Sequence, residues 1–246
     1  MKILNLFFLL GFVVFLGCNK DNNPINENDN TINTIIPLKV GNSWTFVDST
    51  FTENGDFANA DTTQLKIIGK TNINYLGQNV EAYYWNWTDM SSGQPTEMSA
   101  LCANDNYGLK FYGGRYLDSN IVLGNLLFLK FPTTVGESWN NPELSFRSDS
   151  LFYIADTNIV SCIFVDEKLK VAQETISCYV YKYYNERGDN YLYFAKNIGY
   201  IGCIIKANGV VRYKKLLLYR QLLKYPFKEN RITSLNKIGY SIFGIK

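Results

Sequence analysis

The stretch Val80 to Thr88, VEAYYWNWT, decides the fold. Taken two residues at a time, it puts Tyr83, Trp85 and Trp87 on one side and Ala82, Tyr84 and Asn86 on the other. That is the period of an extended strand; a helix would scatter the same rings around its circumference. Working outward, runs rich in β-branched and aromatic residues follow at Gly108 to Tyr112, Leu123 to Phe131, Ser150 to Ala155, Ile159 to Val165 and Leu169 to Ala172. Further runs are Ile176 to Tyr184, Tyr191 to Ala195, Tyr200 to Lys206 and Val210 to Tyr219. Turn signals stand at Glu53-Asn54-Gly55, Leu76-Gly77-Gln78, Gly113-Gly114, Arg187-Gly188-Asp189 and Asn208-Gly209. Connections this short suit antiparallel meanders, because parallel crossovers need a dozen or more residues. With 18 Tyr and 16 Phe and no sustained helical period, the chain is predicted to be all-β. The expected architecture is a single large, curved antiparallel sheet, open or partly closed like a barrel.

One frame occurs twice. PLKVGNSWTF begins at Pro37 and FPTTVGESWN at Phe131, and both carry Pro, two residues, Val-Gly, one residue and Ser-Trp. Glycine accepts positive φ in a tight turn, and the Trp falls two positions inside the strand that follows, where its ring can plug the sheet. The frames from Gly41 to Trp44 and from Gly136 to Trp139 therefore read as a folding device. They either close the two ends of one curved sheet or mark two related halves; a paired aromatic binding site is the functional alternative.

There is no histidine in 246 residues. Its absence removes the commonest general base, the Ser-His and Cys-His nucleophile pairs and the imidazole metal ligands. The formal net charge of +2 is small and mixed along the chain, so no basic stripe argues for nucleic acid. No cofactor or metal site is expected.

Met1 to Gly17 carries Lys2 and then an apolar run from Leu6 to Leu16, too short to cross a bilayer comfortably and read as the core of a signal peptide. Phe15-Leu16-Gly17-Cys18 resembles a bacterial lipobox, which implies that Cys18 is lipidated, by palmitate or a like chain, and becomes the mature N-terminus. NKDNNPINENDNTINT is too poor in apolar residues to offset its ordering entropy and reads as a tether. Its Asn19-Lys20-Asp21 looks like the short signal that sends lipoproteins to the outer face of the outer membrane in one large group of Gram-negative bacteria. The expected organisation is a signal peptide at 1–17, a lipidated Cys and tether at 18–34, an antiparallel domain at 35–224 and a tail at 225–246.

Three stretches, PLKVGNSWTF, Val171 to Cys178 (VAQETISC) and Tyr193 to Gly202 (YFAKNIGYIG), follow one another in an order that resembles a widespread set of uncharacterised bacterial secreted proteins and lipoproteins. In that set an opening Pro-Leu-x-x-Gly-x-x-Trp strand is followed by a Val-Pro-Ala-Gly-Thr-Phe-like hairpin and a Tyr-Tyr-Ala-x-Gly-Val-Gly-like closing strand. Here Ala172-Gln173-Glu174 lacks the hairpin's Pro and Gly, and Asn197-Ile198 stands where Gly-Val would be. The resemblance covers most of Ile35 to Arg220 and implies an open, curved antiparallel sheet with no assigned reaction.

Besides Cys18 there are Cys102, Cys162, Cys178 and Cys203, an even number in a compartment that permits oxidation. Four cysteines allow three connectivities, among which the sequence does not choose; Cys162 and Cys178 are placed astride the strand from Leu169 to Ala172, about 9 to 10 Å apart and too far for a bridge, and Cys178 with Cys203 is the pair preferred. Asp48-Ser49-Thr50, Asp61-Thr62-Thr63 and Asp149-Ser150-Leu151 look like general O-glycosylation sites of the same bacterial group. Tyr83, Trp85 and Trp87 supply either the apolar face of a half-buried strand or an aromatic platform for a ligand.

The function expected is that of a membrane-anchored, non-catalytic lipoprotein that binds a ligand or an envelope protein. A carboxylate-dependent hydrolase of extracellular polymers is the enzymatic alternative, with Asp89, Glu97, Asp105, Glu167 and Glu186 as its acids. A structural role in envelope assembly is the third reading.

Overall fold

Twelve antiparallel strands make one sheet in the order β6-β5-β4-β3-β2-β1-β12-β11-β10-β9-β8-β7. In chain order they are β1 (Ser43–Phe51), β2 (Phe57–Tyr75), β3 (Gln78–Asp89), β4 (Pro95–Asp105), β5 (Gly108–Tyr116) and β6 (Ser119–Lys130), then β7 (Ser138–Phe146), β8 (Phe152–Val171), β9 (Glu174–Asn185), β10 (Gly188–Ala195), β11 (Gly199–Ala207) and β12 (Val210–Gln221). The structure, a computed structural model, describes residues 34–90, 95–116, 119–146, 152–185 and 187–223. Cys18, the signal-peptide stretch, the 225–246 tail, Glu186 and Asp149-Ser150-Leu151 lie outside them. The expected fold class holds: the described residues are all-β in one barrel-like sheet that is closed except between β6 and β7.

Each half of the chain is a six-stranded meander, and the halves match strand by strand. β1 to β6 have 9, 19, 12, 11, 9 and 12 residues. β7 to β12 have 9, 20, 12, 8, 9 and 12. The registers match too: Trp44 pairs with Leu65 and Trp139 with Val160, each the ninth residue of its strand. A bulge falls between Ile67 and Gly69 in β2 and between Cys162 and Phe164 in β8, again at equivalent positions. Alternating antiparallel strands bring β1 and β7 into the same direction, six steps apart, so both frames stand at the same end of the sheet. Of the two expectations for the repeat, the two related halves are what the structure contains.

Two sequence expectations are corrected, and one strand is added to those expected. The described parts of the segments expected at 150–155, 159–165 and 169–172 fall on one continuous strand, β8, over Phe152–Val171. Asp156 and Asn158, which read as a break, pair with Glu143 and Asn141, and Asp166 absorbs the local bend at φ 64°, a conformation Asp tolerates. Gly113-Gly114 is a bulge within β5 and not a turn: φ at Gly113 is 138°, and a Cβ there would lie 2.0 Å from the Ile121 carbonyl oxygen. β4, which carries Pro95, Thr96 and Glu97 and lacks a clear alternation, forms because β3 and β5 pair with its two edges.

The main core fills the concave face and draws on both halves, with Trp44, Phe46, Leu65, Ile67 and Leu129 meeting Val160, Tyr181, Phe194 and Ile201. A smaller cluster of Ile73, Ala82, Tyr84, Leu101, Ala103 and Tyr112 covers the other face of β2 to β5. β3 therefore buries both of its sides along the run Ala82-Tyr83-Tyr84-Trp85.

Candidate functional site

The repeated frame closes the same hydrogen-bond circuit in both halves. Gly41 N–H donates to Ile67 O at 2.8 Å and Ile67 N–H to Asn42 O at 2.9 Å; Gly136 N–H donates to Cys162 O at 2.9 Å and Cys162 N–H to Glu137 O at 2.9 Å. The turns close by Asn42 N–H to Lys39 O and Glu137 N–H to Thr134 O, with the Gly at φ 95° and 90°. Each Trp then donates its Nε1–H to a backbone carbonyl, Trp44 to Ile198 at 2.7 Å and Trp139 to Phe128 at 3.4 Å. Both Nε1–H groups are spent on the fold.

The predicted stripe has a twin. Tyr83, Trp85 and Trp87 occupy the sixth, eighth and tenth positions of β3, and Tyr179, Tyr181 and Tyr183 the same positions of β9. Trp85 pairs with Ile67 and Tyr181 with Cys162, so the two stripes stand on equivalent places of the two halves. The Tyr181 hydroxyl donates to Lys130 O at 3.2 Å, and burial pushes its pKa up. Tyr83 donates to Glu81 Oε1 at 2.7 Å; burial first, then that carboxylate, push its hydroxyl to about 12.

Between the halves, on the concave face, lies a cavity of about 270 Å³. Trp85 and Trp87 form one wall, with Phe111 and Phe128 beside them from β5 and β6. Phe194 and Tyr200 close it from β10 and β11, and Ala100 and Leu192 complete the lining. The rings hold one another edge-on or tilted: Trp85 to Phe111 at 5.7 Å, Phe111 to Phe128 at 4.6 Å and Phe194 to Tyr200 at 5.0 Å between centroids. Sequence reasoning found the two Trp residues because they lie on one strand. It missed the other six because each comes from a different turn of the meander or faces its neighbour only after the sheet curls.

Beside the cavity stands a buried polar group. Lys215 Nζ lies 3.2 Å from Asp48 Oδ1, donates to Thr63 Oγ1 at 3.0 Å, and sits 4.3 Å from the centre of the Trp87 ring. Tyr213 donates to the same Asp48 oxygen at 2.6 Å, and its pKa is raised by burial and then by that bond. Tyr200, fully buried, is pushed well above its ordinary pKa by desolvation and then by Cys203. Two polar atoms here are buried without a hydrogen-bond partner in the protein, Asp48 Oδ2 and Trp85 Nε1.

All four described cysteines are buried free thiols. Cys178 and Cys203 sit on β9 and β11 with β10 between them, and Cys203 faces Leu192, which faces Tyr181, three residues from Cys178. Two strand spacings exceed the reach of a disulfide, so the expected bridge does not form in this fold. Cys162 and Cys178 are on adjacent strands and not astride a third, but Cys162 faces Tyr181 and Cys178 faces Glu167, which again separates them. Burial holds the Cys178 thiol up at about 12.

The candidate acids do not gather. Asp105 accepts from the Tyr107 and Gly108 amides and pairs with Lys110, an arrangement that caps the turn between β4 and β5. Glu167 is exposed opposite Cys178 on β8, Glu97 lies on β4, and Asp89 ends β3. Among the described residues no group of three or more Cys, Asp or Glu converges as metal ligands would.

No family model matches the chain, and no curated protein matches it. Among solved structures, a candidate lipoprotein from Parabacteroides distasonis ATCC 8503 aligns over 77% of this chain and 99% of its own, with 13% identity and a TM-score of 0.39. At that level of similarity it assigns neither fold nor function.

Proposed function

We propose that the chain is a lipid-anchored binding protein of the bacterial envelope that takes up a small apolar ligand in the concave cavity and acts by binding, without catalysis. The observation that carries this reading is the cavity itself, whose eight lining residues are all apolar or aromatic and come from both halves of the sheet. At about 270 Å³ it is near the lower end of small-molecule sites, which suits one or two fused rings or a short branched chain. Cys18 at the end of a lipobox-like stretch supports an acyl anchor, and Asn19-Lys20-Asp21 supports the outer membrane of a Gram-negative bacterium, on its outer face. The opening frame and the closing strand support membership of the uncharacterised secreted and lipoprotein set.

Equilibrium dialysis of the Cys18→Ala chain against 2-isopropenylnaphthalene, a neutral two-ring hydrocarbon, tests the binding. Saturable uptake at one site is expected, and its loss in Ala100→Phe, whose new ring fills the cavity from β4, would locate it. An intact sheet that takes up neither this hydrocarbon nor the ketone of the same shape, 2-acetylnaphthalene, would overturn the reading. Labelling cells with an alkyne-bearing palmitate tests the anchor: label on the wild type and none on Cys18→Ala is the expected result, and unlabelled wild type would remove it.

A further inference from the structure

We infer that the cavity's ligand is neutral and carries one hydrogen-bond acceptor, a carbonyl or an equivalent oxygen, that accepts from the Nε1–H of Trp85; the inference rests on the cavity being a binding site. Trp85 forms part of the cavity wall and on the same ring holds a buried Nε1–H with no partner in the protein. A buried donor left unpaired loses the hydrogen bond it made to water, so a fold keeps one only where something else satisfies it. The contrast inside the molecule is direct. Trp44 and Trp139 donate their Nε1–H to backbone carbonyls, and Tyr181, which holds the position of Trp85 in the second half, donates its hydroxyl to Lys130 O. Of these four equivalent or repeated aromatic donors, the one at the cavity is the one left unpaired.

Charge narrows the class. None of the lining residues is charged, and Lys215, which sits over the Trp87 ring, is already paired with Asp48 and Thr63. A carboxylate in the cavity would lose its hydration without gaining a counter-ion, a penalty a ketone, ester or amide oxygen does not meet.

Three isosteric probes test this on the Cys18→Ala chain: 2-acetylnaphthalene, 2-isopropenylnaphthalene, in which a CH₂ replaces the oxygen, and the 2-naphthoate anion. The ketone is expected to bind about 3- to 10-fold more tightly than the alkene, the return of a net hydrogen bond, and naphthoate more weakly than either. In Trp85→Phe, which keeps a ring in the wall, the ketone and alkene are expected to bind alike. Equal binding of the two to the wild type would overturn the inference while leaving the cavity a binding site. Binding of none of the three would overturn both readings. Should Trp85→Phe not fold, ¹⁵N spectra of the wild type decide: one of the four indole N–H signals moves downfield with the ketone and stays with the alkene, or the inference fails.

Discussion

The two junctions between the halves differ in kind. At one, β1 and β12 pair from Ser43 and Gln221 to Thr50 and Tyr213, with a single bulge between Thr45 and Phe46. At the other, β6 and β7 share no ladder among the described residues, and side chains hold the junction: Trp139 of β7 to Phe128 O, Lys130 of β6 to Glu137 just ahead of β7 at 2.9 Å, and Tyr181 of β9 to Lys130 O. The same six-strand unit thus produces a sealed junction and a stapled one. Local sequence sets the strands and turns of each unit, but closure depends on what the junction buries. Trp44 and Phe46 are fully enclosed at the first, whereas Trp139 and Glu137 are only half-buried at the second.

That contrast can be broken by paired substitutions. Trp44→Ala removes a fully buried ring and its bond to Ile198 and is expected to cost about 3–5 kcal/mol, against roughly half that for Trp139→Ala. Urea unfolding measures both, and equal losses would erase the distinction between the junctions.

The cations come next. Lys215 and Asp48 have side chains only 12% and 9% exposed, so Lys215→Met leaves a buried carboxylate facing Tyr213 alone and should cost about 3 kcal/mol. Lys130→Met, at a pair about one-third exposed, should cost less than about 1 kcal/mol. If Asp48→Asn combined with Lys215→Met is no more stable than Lys215→Met alone, the stranded charge is not the cause.

The glycines give a smaller difference. Both sit at positive φ, so Ala at either is strained by about 1 kcal/mol. At Gly41 the new Cβ would also stand 2.7 Å from the Leu223 Cδ1, while at Gly136 it meets nothing within 4 Å. Thermal unfolding should rank Gly41→Ala below Gly136→Ala, and the reverse order would show that Leu223 moves aside freely.

The smallest effect is one of pH, and it separates the frames by chemistry. Glu137 accepts from Lys130, the Thr134 amide and Thr133, and the Lys130 bond first among these holds its carboxyl down at about 2. Its folded pKa lies below the unfolded one, so its contribution is present above about pH 4.5 and is lost as pH falls toward 2. Asn42, its counterpart, bonds to Pro37 O and the Leu223 amide without charge. Comparing the wild type with Glu137→Gln through that range should show a sloping difference that 1 M salt reduces, and parallel curves would remove Glu137 from the junction.

Much of this was legible in the sequence. The alternation around Tyr83, Trp85 and Trp87 gave the strand and the right face, and the Val-Gly-x-Ser-Trp frames marked the starts of both halves. The twin stripe of Tyr179, Tyr181 and Tyr183 could have been found by aligning the two frames and reading forward to equal strand positions. β4 was not legible because small residues carry no period; its neighbours impose the strand. β8 misled because Asp and Asn signal breaks, yet Glu143 and Asn141 pair with them. The cavity could not be read from the chain at all, since Phe111, Phe128, Phe194 and Tyr200 meet only through the curvature of the sheet.

Six is an even number, and that gives the molecule a direction. A meander of six strands brings the chain back to the rim where it began, so the described chain arrives at Thr34 and departs at Leu223 on the rim that carries Trp44, as the Leu223 amide on Asn42 and the Asn197 amide on Thr34 record. The opposite rim holds hairpin turns, among them Glu53-Asn54-Gly55 and Asn208-Gly209, and neither of these chain ends. Whatever is joined to this domain at residue 34 is joined at that rim, and the opposite rim is built of turns.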